Sequence, residues 1–470
     1  MEKPIAVRDY SLDALRGLAI AGMIWSGNLH KELPGWMFHA QVPPPQFKFN
    51  PLIPGITWVD LVFPFFIFAM GAAIPLALTK RLSTQTPLWK IGTDTLLRFL
   101  MLAWFAIFFQ HIKPWAINPA PDTQVWLISL LGFLLMFAMY IRLPEKYAKW
   151  YTVVLRIIGY GGAILLLYLL KYPDGEGFKL TRSDIIILVL ANLVIPGTLI
   201  WYFTRNNYLL RFGILAFYLA FRLTADVEGS WNQLVWNATP AGWLYKLYYW
   251  QYLFILIPGT IAGDLILQYT KNQTNNVTKK VHNYQVPIIF ITLIAIIIVN
   301  LICLYQRFLL INLLFAIVSY MALMFITRNE QDSRLLFYRN IIQWGTILLL
   351  MGLTWEAFEG GIKKDKSTIS YYMVTSGLAF YTVLLFTIFI GYFKLFKRTR
   401  LLVYAGQNPM IAYVAAALVV HPLLNLSHLN SVLAILDTNP WLGALKGLLI
   451  TIFVLIIATY FTHKKLFWRT

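Results

Sequence analysis

Apolar runs of about 18–25 residues recur along nearly the whole chain, and nothing else in it limits the fold so severely. A helix of that length matches the hydrocarbon thickness of a bilayer. Within lipid every backbone N–H and C=O has to be paired inside the protein, so runs this long fold as helices. Of 470 residues, 59% are hydrophobic and only 13% charged, too few polar groups to cover a soluble domain. The expected class is an all-α polytopic helical integral membrane protein with about fourteen transmembrane helices, within a range of about eleven to fourteen. They centre on 12–29, 58–78, 91–111, 124–142, 151–170, 184–204, 208–225, 243–269, 286–304, 308–327, 336–357, 371–393, 402–424 and 441–462. No repeat of 20–50 residues stands out. Residues 1–470 therefore read as one transmembrane domain with two longer loops, 30–57 and 226–242.

The net charge of +19 would suggest nucleic acid in a soluble protein. Here the basic residues gather in alternate short loops, where they fix topology and meet anionic headgroups. That pattern places both termini in the cytoplasm and both longer loops outside. It names the lipid bilayer, and no nucleic acid, as a partner. The first apolar run keeps Arg16 and is not followed by an A-x-A-like site, so it reads as a retained span. Cys303 is the single cysteine and lies in an apolar run, which leaves no disulfide framework.

Charged groups inside spans are costly and need a reason. Asp60 lies one turn into the second span, and His39 precedes it in the 30–57 loop. A carboxylate bonded to one imidazole nitrogen fixes the tautomer and leaves the other nitrogen as a base or nucleophile. The competing reading is that Asp60 merely caps the helix start. His30, His39, His111, His421 and His428 map to the outer half, as do Glu356 and Glu359, while His282 and His463 map inside. No H-x-x-x-H or E-x-x-H pair shares a helix face, so no metal is predicted. Arg16, Arg98 and Arg156 lie toward the inner ends of their spans. Singly they read as residues reaching the interface; together they could cradle an anionic cofactor. Asn408, in YAGQNPMIAYV, either bridges helices or binds a ligand.

SLDALRGLAIAGMIW at 11–25, HA at 39–40 and GITWVDLVFPFFIFAMGAAIPL at 55–76 resemble the heparan-α-glucosaminide N-acetyltransferase-like family of transmembrane acyltransferases. EGGIKKDKSTISYYMVTSGLAF at 359–380, YAGQNPMIAYV at 404–414 and the closing KKLFWRT extend the resemblance. It implies acetyl transfer from cytosolic acetyl-CoA to a sugar amine or hydroxyl across the membrane. His39, Ala40, Gly55, Thr57 and Asp60 match the family's active-site stretch, Lys366 and Asn408 its polar C-terminal residues, and Asn28 lies near its first-span asparagine. The chain departs from the pattern in holding His39 and Asp60 21 residues apart, with VPPPQFKFNPL between them. The tryptophan after His-Ala is absent, the P-G-V-L-Q-R block is not recognisable, and Ile369 replaces a tryptophan.

The resemblance implies catalysis by His39 and Asp60 with Asn28, Asn408 and Lys366 as further site residues, and the acetyl-CoA it implies would be held by these together with Arg16 and Arg98 of the basic cradle. Asn408 or Asn28 would donate to the thioester oxygen. It points to a bacterial inner membrane, a cell-envelope or imported glycan as acceptor, and leaves room for a homodimer. The alternative reading is a transporter or flippase for a glycan or lipid-linked sugar, to which the broken segments VIPGT at 194–198 and LIPGT at 256–260 also conform. A non-catalytic membrane partner of an envelope pathway is the third.

Overall fold

The computed structural model describes residues 9–144, 147–273, 284–328 and 332–470; His282 lies outside them. Its main helices are α1 (Tyr10–Ser26), α2 (Trp58–Ser83), α3 (Leu88–Ile112), α4 (Thr123–Tyr140), α5 (Lys149–Leu169), α6 (Ile185–Thr204), α7 (Tyr208–Thr224) and α8 (Leu253–Gln273). They continue with α9 (Gln285–Gln306), α10 (Leu309–Ile326), α11 (Ser333–Trp355), α12 (Ile369–Thr387), α13 (Phe396–Gln407), α14 (Pro409–Ala415) and α15 (Pro440–His463). Strand is confined to one short antiparallel pairing of Ile141–Arg142 with Phe467–Trp468.

Twelve helical segments among the described residues are long and apolar enough to cross a membrane, and the protein is an all-α polytopic integral membrane protein. The two remaining expected spans are α1 and α7, helices of 17 residues each. The span expected at 402–424 is broken at Asn408, where the following proline opens α14. Proline has no N–H to extend the preceding helix. The outer loop expected at 226–242 contains a helix of 7 residues, Trp231–Asn237.

Contacts divide the chain into two compact units. The first contains α1, α2 and α8–α13. Its helices meet at backbone distance. A Cβ on Gly71 of α2 would come within 2.0 Å of the Leu256 carbonyl oxygen on α8, and one on Gly259 within 2.3 Å of the Phe68 carbonyl. Small residues allow this approach, and in lipid such packing replaces the hydrophobic drive that water supplies. Helix α12 occupies the middle, every residue from Ile369 to Leu384 being buried.

Two of its hydroxyls repair breaks that prolines make in neighbouring helices. Pro64 cannot donate to the carbonyl of Asp60, and Tyr371 Oη donates to it instead at 2.7 Å. Pro258 likewise leaves the Phe254 carbonyl open, and Ser376 Oγ donates to that oxygen at 3.3 Å. Buried carbonyls without partners are costly in a bilayer, so α12 is fastened at two heights.

The second unit contains α3–α7, α14 and α15. Asp184 gathers three of these helices. It caps α6 through Ile187 N at 3.1 Å, accepts from Lys113 Nζ at 2.7 Å beyond α3, and accepts from Tyr413 Oη of α14 at 2.9 Å.

Candidate functional site

The start of α2 is written in T-W-V-D. Thr57 is the N-cap, its hydroxyl accepting from Val59 N, and Asp60 at the third helical position reaches back to Thr57 N at 2.9 Å. This capping box satisfies N–H groups that no helical carbonyl can reach. Only Oδ2 of Asp60 serves the cap, and it also accepts from Ala40 N at 3.3 Å. Oδ1 faces His39 Nδ1 at 2.7 Å. Asp60 therefore both caps α2 and bonds His39, one oxygen for each.

An ionised carboxylate only accepts, so this bond puts the proton on Nδ1 and the lone pair on Nε2. The Asp60 side chain is 2% exposed and that of His39 39%. The acid is sealed in the protein while the ring stays reachable.

The 21-residue separation costs the pair nothing in geometry. Asn50 N donates to Gln41 O at 2.9 Å, and Phe47 N to Pro43 O at 3.1 Å. The inserted VPPPQFKFNPL thus closes on itself beside His39, and the chain re-enters α2 as if the insertion were absent.

A third group comes from the α11–α12 loop. Lys364 Nζ lies 3.1 Å from His39 Nδ1 and 3.2 Å from Nε2. The loop is clamped: Gln41 donates to the Asp365 carbonyl and accepts from Asp365 N, and Gly55 N donates to Ile362 O at 2.7 Å. Gly361, at φ +108°, admits Pro54 so closely that a Cβ would stand 2.3 Å from the proline Cβ. Glycine alone suits that backbone and that contact.

The remaining candidates lie apart from this pair or are engaged in other bonds. Lys366 is exposed, and it is Lys364, two residues earlier, that meets the imidazole. Asn408 is wholly buried, its Nδ2 donating to Leu466 O at 2.8 Å and its Oδ1 accepting from Trp468 N at 3.2 Å. It ties the closing segment to α14. Asn28 Nδ2 donates to Ile24 O at 2.7 Å, at the end of α1. Arg16 binds the Gly406 carbonyl at 3.0 Å and Asp13 at 3.4 Å, joining α1 to α13. Arg98 and Arg156 are exposed on α3 and α5.

Glu356 pairs with Arg307 and accepts from Ile362 N, while Glu359 accepts from Ile369 N at 2.6 Å and Ser370 N at 2.8 Å, at the start of α12. Both hold the Lys364 loop in place. Of the other histidines expected in the outer half, His111 is buried between Ile107 O and Lys179 N, His421 packs edge-on against Trp115, and His30 accepts from Glu32 N.

The sequence reading passed over Lys364, Gln41 and Tyr371. A signal for Tyr371 was present, since Pro64 stands four residues after Asp60 and leaves its carbonyl in need of an outside donor. Lys364 and Gln41 depend on contacts across more than three hundred residues, which local pattern does not carry.

The fold and this site define a polytopic helical membrane protein with a buried carboxylate, a reachable imidazole and a neighbouring lysine. Residues 8–266 match the family described as "domain of unknown function (DUF5009)", and the chain belongs to that family. The match takes in His39 and Asp60 and ends before Lys364. No curated protein matches the chain.

Proposed function

We propose that the protein is a transmembrane acyltransferase that passes an acetyl group from acetyl-CoA, supplied by the cytosol, to a sugar amine or hydroxyl at the His39 end. One observation carries this reading: a 2.7 Å pair in which a sealed carboxylate orients a reachable imidazole. The sequence resemblance supports the choice of thioester as donor.

Nε2 takes the acceptor's proton as the acceptor atom bonds to the thioester carbon. The carbon–sulfur bond then breaks, the electron pair leaves on sulfur, and the imidazolium returns the proton to the thiolate. In a two-step version Nε2 itself attacks, and the carbon–sulfur bond breaks with its pair leaving on sulfur. The acceptor then bonds to the acetyl carbon as the carbon–Nε2 bond breaks, its proton passing to the freed Nε2 and on to the thiolate. Asp60 keeps the ring in the reactive tautomer in both, and Lys364 faces the oxygen on which negative charge gathers. Transferring only the acetyl group leaves the anionic carrier out of the bilayer, where its charges would be costly.

The test supplies labelled acetyl-CoA to membranes containing the protein and follows label into non-protein material. His39→Ala should remove nearly all transfer, since positioned proton transfer alone contributes roughly 10²–10⁴-fold. Undiminished transfer by a folded His39→Ala protein would falsify the reading.

A further inference from the structure

We infer, building on the acyl-transfer reading above, that the acceptor is a hydroxyl and the product an ester. The position of Lys364 carries this. A donor aligned with the Nε2 lone pair would stand far from Nδ1, yet Nζ is 3.1 Å and 3.2 Å from the two nitrogens. Near-equal distances set the ammonium against the face of the ring and leave the lone pair open in its plane. Whatever gives its proton to Nε2 does so beside a fixed positive charge.

The two acceptor types behave differently there. A hydroxyl arrives neutral and yields its proton to Nε2 as its oxygen bonds to the thioester carbon. The new negative charge gathers on the tetrahedral oxygen, where a cation is favourable. An amine with an ordinary pKa near 8 arrives mostly as an ammonium ion. Even when neutral, it gains positive charge on nitrogen as the nitrogen–carbon bond forms, until the imidazole removes the proton. Both stages set a further cation against the ammonium, beyond the imidazolium and the tetrahedral oxyanion that either acceptor produces.

The acids nearby offset this only in part. Asp60 interacts with Lys364 but sets its Oδ1 against Nδ1, whereas Nζ stands 3.2 Å from Nε2; Glu356 is held by Arg307, and Glu359 is spent on the start of α12. Asp365 is exposed between two lysines, Lys364 and Lys366. Charges a few ångströms apart near a protein surface shift rates by about tenfold or more.

The experiment incubates native host membranes with radiolabelled acetyl-CoA, removes protein by proteolysis and unreacted acetyl-CoA by washing, and treats the remaining label with alkaline hydroxylamine, which cleaves oxygen esters and spares amides. Label that depends on His39 should be released by at least about tenfold over label that resists, on the same charge argument. In Lys364→Met membranes the resistant share should rise severalfold relative to the released share. His39-dependent label that resists hydroxylamine would overturn the hydroxyl assignment and leave acyl transfer standing. An unchanged ratio in Lys364→Met would overturn the role given to the lysine. Absence of any His39-dependent label would defeat acyl transfer itself, and this inference with it.

Discussion

Asp60 shows how much one side chain can hold. Oδ2 closes the capping box on α2, Oδ1 sets the imidazole, and its backbone carbonyl takes the Tyr371 hydroxyl. Replacing it with asparagine puts an NH2 group either against His39 Nδ1–H or against the N–H groups of Thr57 and Ala40. Asp60→Asn should lower acetyl transfer roughly 10²–10⁴-fold and stability by about 1–3 kcal/mol. Label transfer and thermal melting in detergent would read the two effects. A stable variant with full turnover would leave the carboxylate with only its capping role. The pair itself was legible in the sequence, because an acid at the third helical position and a histidine before an apolar run are local features. Lys364 was not: the resemblance singled out Lys366, and only the clamp through Gln41 and Gly55 decides which lysine of K-K-D-K turns inward.

At the scale of helices, α12 stabilises its neighbours by supplying hydroxyls where prolines withdraw N–H groups. Tyr371→Phe leaves the Asp60 carbonyl buried without its donor and should cost about 1–3 kcal/mol. In a Pro64→Ala background residue 64 regains its N–H and can serve that carbonyl, so the same substitution should cost markedly less. A double-mutant cycle on melting temperatures checks this, and additive losses would show that the hydroxyl does something else. The spans were readable because hydropathy over about twenty residues is a strong signal. The interruption at Asn408 was not, since apolar residues continue on both sides and hydropathy averages across the asparagine–proline pair. Its signal was the proline itself, which favours a break over a continuous helix.

For the molecule as a whole, orientation decides whether the imidazole faces the cytosol or the far side. Within the first unit the end opposite His39 carries Lys80, Arg81, Arg328, Lys394 and Arg398, which favours that end as cytoplasmic. Cys303 is buried and is the single cysteine, so a Cys303→Ala background makes labelling clean. An impermeant maleimide on intact cells should modify Lys366→Cys and spare Lys397→Cys until the membrane is opened. The reverse pattern would put His39 in the same compartment as acetyl-CoA and remove the need to pass an acyl group across.

The Gln41 amide meets the backbone of Asp365 as a rung meets both rails, across 324 residues of sequence. A nascent chain halted before that rung already has its acid and its imidazole, yet no lysine beside them. The three groups therefore come together only after the ribosome has passed the α11–α12 loop, more than three hundred residues beyond the imidazole.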